Sequence, residues 1–223
     1  MTTLKHLGII ADGNRRWAKA QGLPSIEGHK KGLETIKELV GAAAKAGIEY
    51  LTFYVFSTEN WGRSADEVGY IMKLAETRIL KYAEELAQNN ARLLVLGAKT
   101  KISPTLATVI EKAEKLTAKC TGITVCFCFN YGGEQEIADA AKIAASEGEI
   151  TPAAIRKHLY HPEVPDIDMV VRTSGEERIS GFMLWRSSYA ELMFIEKFFP
   201  EMGAADIDDI LREYESRSRR FGK

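Results

Sequence analysis

Short apolar runs of strand character alternate along this chain with longer stretches whose apolar residues recur at helical spacing. No other feature of the sequence restricts the fold as much. Strand-like runs occupy residues 7–11, 50–56, 92–96, 123–129 and 169–171, and helical patterns fill residues 15–21, 28–46, 66–89, 104–118, 134–146 and 152–159. The breaks between them have chemical causes. Gly22 and Pro24 interrupt the first helix, Gly47 suits a C-terminal cap, and Pro104 and Pro152 each follow a hydroxyl residue that can cap a helix start. The 66–89 pattern is the longest, about 35 Å at 1.5 Å per residue, with one apolar stripe from Val68 to Leu86. The expected architecture is α/β: a mostly parallel central β-sheet flanked by helices, with ligands at the carboxyl ends of the strands.

At 223 residues and 45% hydrophobic content, the chain can bury one substantial core. No repeat, low-complexity tract or linker divides it, so residues 1–223 are read as a single domain. The 30 basic residues nearly match the 31 acidic ones, so the overall charge gives no reason to expect a nucleic-acid partner. Cys120, Cys126 and Cys128 lack metal-ligand spacing and read as reduced core thiols. The N-terminus has no secretory pattern, and no apolar run approaches the ~20 residues that span a bilayer. A cytoplasmic protein is expected, with peripheral membrane contact left open.

Three polar clusters sit where strands end. The first is Asp12, Gly13, Asn14, Arg15, Arg16 and Trp17, at a strand-to-helix turn. Free N–H groups of a helix start, a glycine that lets the backbone come close, and an arginine suit a diphosphate. Asp12 would repel a bare anion, which points to a bridging Mg²⁺; an ordinary helix cap is the plainer reading of Asp12 or Asn14. The second cluster holds Ser57, Glu59, Asn60, Trp61 and Arg63, where hydrogen-bonding groups stand beside an indole that can cover apolar substrate. The third, Arg172 to Gly181, brings Arg172, Arg178 and Ser180 together as a second anion site, since guanidinium forks match phosphate oxygens. His29 stands at a helix start, and Glu191 is an acid in an apolar stretch that needs a cation or metal partner if buried.

Taken in order, these segments resemble a known family. Residues 6–18, including Asp12-Gly13-Asn14-Arg15-Arg16-Trp17, are similar to the opening signature of the cis-prenyltransferases, the undecaprenyl diphosphate synthase family. Residues 28–32, 56–63, 130–133 and 168–191 resemble later blocks, and Arg219-Arg220-Phe221-Gly222 resembles the family's C-terminal Arg-x-Gly motif. The resemblance implies a hydrophobic tunnel within the fold and a reaction that adds isopentenyl diphosphate to an allylic diphosphate, farnesyl diphosphate being the expected starter, to make a polyprenyl diphosphate for carrier-lipid synthesis.

It implies that Asp12 holds Mg²⁺ with Glu191 and assists departure of the diphosphate, which Gly13, Asn14, Arg16 and His29 contact. Arg172, Arg178 and Ser180 would bind isopentenyl diphosphate. Ser57, Asn60, Trp61 and Arg63 match a loop that closes over the reacting carbons and serves proton removal, and Arg220 and Gly222 would reach the partner's site in a homodimer. Four residues depart from the family pattern: Ser25 replaces an arginine, Arg186 replaces a glutamine, and Val55 and Phe129 stand where longer-chain members tend to have alanine. Bulkier residues at the last two positions suggest a narrowed tunnel and a shorter product. The alternatives are a short-chain or branched-product enzyme on the same fold and a non-catalytic partner subunit, against which Asp12, Asn60, Arg172 and Glu191 speak.

Overall fold

A computed structural model describes residues 4–217. The chain begins with β1 (His6–Ile10), α1 (Asn14–Ala20), α2 (Ser25–Ala46) and β2 (Tyr50–Ser57), followed by a 3₁₀ turn (Thr58–Gly62) and the long α3 (Ala65–Gln88). Then come β3 (Arg92–Leu96), α4 (Pro104–Thr117), β4 (Thr124–Tyr131), α5 (Gly133–Ser146) and α6 (Pro152–Lys157). β5 (Met169–Arg172), β6 (Glu191–Phe194), a 3₁₀ turn (Phe199–Glu201) and α7 (Ala204–Ser216) complete it. All strand pairs are parallel, in the order β3-β4-β2-β1-β5-β6.

The expected strands and helices through β5 are present, with shifts at their ends. The sequence pattern starts α2 at residue 28 because Pro24 looks like a break. In the structure Pro24 is instead the residue before the helix, at φ −57°, and α2 starts at Ser25. β6 and α7 are additions that the sequence reading did not contain.

Strand alternation divides the core between the two faces of the sheet. Leu7, Ile9, Leu51, Phe53, Val125 and Phe127 pack with α2, α3 and α7 on one face. Ile10, Tyr54, Cys126 and Cys128 face Val164, Phe182 and Met183 on the other. The cysteines are free thiols, and burial pushes Cys126 up to about 12, consistent with core residues of low reactivity. The pairing of β2 with β4 slips after Tyr54: Tyr54 faces Cys128, while Phe56, two residues on, faces the very next residue, Phe129. Val55 is thus unpaired, a bulge where β2 enters the site, and a second slip that leaves Asn130 of β4 unpaired brings Ser57 opposite Tyr131 and restores the register.

On the face away from α2, the segment after β5 is tied down by an ion pair with no solvent exposure. Arg186 Nη1 donates to Glu136 Oε1 at 2.8 Å, Nε to Val164 O, and Nη2 to the carbonyls of Tyr160 and His161. Glu136 also accepts the Tyr131 hydroxyl at 2.5 Å and the Tyr160 N–H at 3.0 Å. Arg186, whose consequence the sequence left open, is therefore an internal tether.

Candidate active site

β1 lies between β2, to which its own connection leads, and β5, which the chain reaches by crossing over from β4, so the carboxyl ends of the three strands lie side by side where the strand order changes direction. This is where a parallel sheet opens a crevice. A cleft of ≈ 1440 Å³ lies there, lined by Asp12, Gly13, Asn14, Arg15, Arg16, His29, Ser57, Glu59, Asn60, Arg63, Arg172 and Ser180. A second cavity of ≈ 480 Å³ runs between the sheet and helices α2 and α3, walled by Leu74, Ile79, Tyr82, Phe127 and Phe129. The two share Ala11, Asn14, His29 and Val55, so a polar cleft leads into an apolar tunnel.

Asp12 is placed by its backbone as much as by its charge. Thr173 Oγ1 accepts from the Asp12 N–H at 2.9 Å and donates to the Asp12 carbonyl at 2.6 Å, which ties the end of β1 to the end of β5. The carboxylate receives Arg172 Nη2 at 2.9 Å and the Gly13 N–H at 2.7 Å, and Arg16 Nη2 lies 3.2 Å away. Burial works to raise this carboxyl, but the hydrogen bond and charge of Arg172, with the charge of Arg16 and the Gly13 N–H, hold it below the usual carboxylate range. Arg172 is buried and also donates to Ser180 Oγ at 2.7 Å and to the Arg178 carbonyl at 2.6 Å, while its Nε has no partner.

The start of α1 depends on glycine twice. Gly13 takes a left-handed φ of 97°, and a Cβ there would stand 2.3 Å from Ser174 Oγ. At Gly28 a Cβ would meet the Asn14 carbonyl at 2.0 Å, so only glycine lets α2 lie this close to α1. No side chain caps α1; the plainer expectation that Asp12 or Asn14 serves as its cap is not met.

The second cluster is held by the 3₁₀ turn, where Asn60 Oδ1 accepts the Ser57 N–H at 3.1 Å. Burial would raise the Glu59 carboxyl, but its own backbone N–H and the Ser57 and Thr58 hydroxyls lower it, so it stays ionised. Burial lowers His29 below 6.5 despite the nearby Glu67 carboxylate, which leaves the imidazole neutral at pH 7.

These arrangements, a strand-end anion cleft joined to an apolar tunnel, match one family. The family model described as "Putative undecaprenyl diphosphate synthase" matches residues 10–222. The chain belongs to the undecaprenyl diphosphate synthase family. An isoprenyl transferase of Neisseria meningitidis serogroup B is 42% identical over 221 residues, 98% of this chain and 89% of the relative. A ditrans,polycis-undecaprenyl-diphosphate synthase ((2E,6E)-farnesyl-diphosphate specific) of Vibrio cholerae serotype O1 is 42% identical over 226 residues, 98% of this chain and 90% of the relative. Among solved structures, lavandulyl diphosphate synthase from Lavandula x intermedia, in complex with dimethylallyl diphosphate, superposes with a TM-score of 0.94 at 33% identity and covers 99% of each chain.

Several residues expected at the site of this undecaprenyl diphosphate synthase family member lie elsewhere. Glu191 does not join Asp12 within one chain. It pairs with Met169 at the amino end of β5, whereas Ile10, just before Asp12, pairs with Arg172 at the other end, about 10 Å further along the strands. Glu191 instead meets Arg217 at 3.1 Å. Trp17 and Trp61 line neither cavity; the Trp61 indole donates to Asn130 Oδ1 at 2.7 Å and packs edge-on against Phe56. The Arg178 side chain turns to solvent and pairs with Glu176 at 2.5 Å, leaving only its carbonyl to the site. Arg220 and Gly222 lie outside the described residues.

The sequence reading placed Thr173 and Ser174 in the third cluster but gave neither a role of its own; the buried Ser174 hydroxyl has no partner and faces Gly13. The hydroxyl pair following an arginine at a strand end was the available signal.

Among the described residues, no group of three or more His, Cys, Asp or Glu side chains is placed to hold a metal ion. A single half-buried carboxylate beside an anion site is nevertheless the donor set Mg²⁺ uses when substrate phosphates supply the remaining oxygens. Asp12 fits that role.

Proposed function

We propose that this chain joins isopentenyl diphosphate to an allylic diphosphate, farnesyl diphosphate first, and lengthens a polyprenyl diphosphate destined for a carrier lipid. The junction of the two cavities carries this reading. An allylic substrate is an anionic head on an apolar tail, and Asn14, His29 and Val55 stand where such a head and tail would divide.

Cleaving the allylic carbon–oxygen bond leaves negative charge on the departing diphosphate. Arg16, the Asn14 N–H group and the start of α1 are fixed before the reaction, so they stabilise that charge as it develops without reorganising. Arg172 and Ser180 hold the second diphosphate, which sets the two substrates side by side and removes much of the entropic barrier. Asn60 and Ser57, over the cleft, are assigned to proton removal. When bound, Mg²⁺ held by Asp12 and the diphosphate adds positive charge at the leaving group.

We assign a homodimer on the outer side of β6, an edge strand where Leu192 is 40% exposed and Tyr189, just before the strand, 71% exposed. No helix among the described residues is long and apolar enough to cross a membrane, and we place the reaction in the cytoplasm with peripheral transfer of product to a membrane.

The test is incubation with radiolabelled isopentenyl diphosphate and farnesyl diphosphate, with and without Mg²⁺, followed by sizing of the dephosphorylated products. Magnesium-dependent polyprenols are expected. No product with any allylic starter would overturn the reading and favour a non-catalytic partner subunit. A short or branched product is the second reading, favoured by Val55 and Phe129 in the tunnel wall.

A further inference from the structure

One carboxylate behind the cleft gathers basic groups from three separate elements. Glu67, in the first turn of α3, has a side chain only 14% exposed and does not line the cleft. Its Oε1 receives Arg63 Nη1 at 3.0 Å from the end of the 3₁₀ turn, and its Oε2 lies 3.5 Å from Arg15 Nη1 of α1. His29 Nε2 of α2 stands 3.4 Å from Oε1, too poorly aimed to make a hydrogen bond, and is buried. Arg15, His29 and Arg63 all line the cleft.

We propose that Glu67 is a positioning residue that competes with the substrate diphosphate for Arg15 and Arg63, with His29 beside them. A carboxylate and a phosphate present the same acceptor geometry to a guanidinium, so either can take these donors. Holding them on Glu67 keeps α1, α2 and the turn bearing Asn60 in register, and it weakens diphosphate binding enough for the released diphosphate to leave. An anion that takes Arg63 also unties the turn from α3, so arrival of the diphosphate is coupled to the position of Asn60.

This inference rests on the cleft being a diphosphate site, and calorimetry with inorganic diphosphate separates the two claims. Binding to the wild-type chain is expected; no binding overturns the cleft reading and the Glu67 role with it. Glu67→Gln keeps the side chain's size and removes its charge. It is expected to bind inorganic diphosphate about tenfold more tightly, a gain of ~1.4 kcal/mol, with kcat lowered severalfold and the KM for isopentenyl diphosphate nearly unchanged. A purely structural glutamate predicts the opposite, weaker binding and raised KM values. Unchanged or weaker diphosphate binding, in a variant that melts like the wild type, overturns the proposal while leaving the cleft reading intact. Glu67→Asp retains the charge but withdraws it by one methylene, so it is expected to tighten binding about threefold. It decides the matter in the same way if the glutamine variant does not fold.

Discussion

Two buried arginines flank the segment that follows β5, and they are used differently. Every nitrogen of Arg186 is engaged, by Glu136 and by three backbone carbonyls, and the pair has no contact with solvent. Arg172, which lines the cleft, reaches Asp12, Ser180 and the Arg178 carbonyl, yet its buried Nε has no partner. A buried N–H without a partner is costly, and the fold tolerates it where a ligand can supply the missing acceptor. Arg186 is fully engaged by the architecture, whereas Arg172 retains one side-chain N–H without a partner among the described residues.

The sharpest way to break that distinction is Arg186→Gln. It leaves the Glu136 carboxylate buried without its cation, and a loss of about 3–5 kcal/mol in stability is expected by urea unfolding. The KM of the surviving folded enzyme for the allylic substrate should change little. A stable but inactive variant would move Arg186 into the functional class.

Asp12→Ala should do the reverse, with turnover falling about 10²–10³-fold and the melting temperature shifting by only a few degrees. Near-normal turnover would remove Asp12 from the chemistry.

His6 handles burial in a third way, by staying neutral. Its ring meets Thr52 Oγ1 at 2.7 Å and the Pro165 carbonyl at 3.0 Å, and burial lowers its pKa to about 4. The unfolded chain, near 6.5, takes up the proton first, so stability is full above about pH 6.5 and declines as pH falls toward 4. The decline approaches ~3 kcal/mol. His6→Asn should flatten the pH dependence of unfolding in that window, and an unchanged slope would show that other groups set it.

The smallest energies are expected where no charge is involved. Replacing Val55 and Phe129 with alanine widens the tunnel wall and should lengthen the main product by one or a few isoprene units, read by product sizing. An unaltered distribution would mean that the wall stands elsewhere.

Much of this was legible in the sequence, and the exceptions share a cause. Strand ends announced themselves through apolar runs meeting Gly, Asp or Arg, so Asp12, Asn60 and Arg172 were found. Trp61 was assigned to substrate because an aromatic among polar residues looks like a cover, and Trp17 as part of the diphosphate cluster, but the direction of each ring depends on helical phase and on partners such as Asn130. Glu191 was paired with Asp12 because no local pattern shows which end of β5 a later strand aligns with.

β6 escaped notice as a four-residue, half-exposed edge. α7 is largely polar, although its buried Ile207, Ile210 and Tyr214 carry helical spacing. Glu67 and Glu136 read as ordinary surface acids until the elements around them are assembled.

The bulge at Val55 bears on how this site can change over generations. A regular strand would send Val55 and Phe56 to opposite faces. With Val55 unpaired on β2 and Asn130 unpaired on β4, Val55 joins the cluster under α2 and α3 while its neighbour Phe56 packs on Val68 and Ile71 of α3, and Ser57 returns to register opposite Tyr131 at the cleft. Substitutions at Val55 can therefore retune the apolar cavity while the reading frame of the 3₁₀ turn that follows stays fixed. Losing a single codon there would shift that frame by one residue, carrying Ser57 and Asn60 out of place together. Variation in this part of the chain is thus confined to the size of side chains and closed to changes in their number.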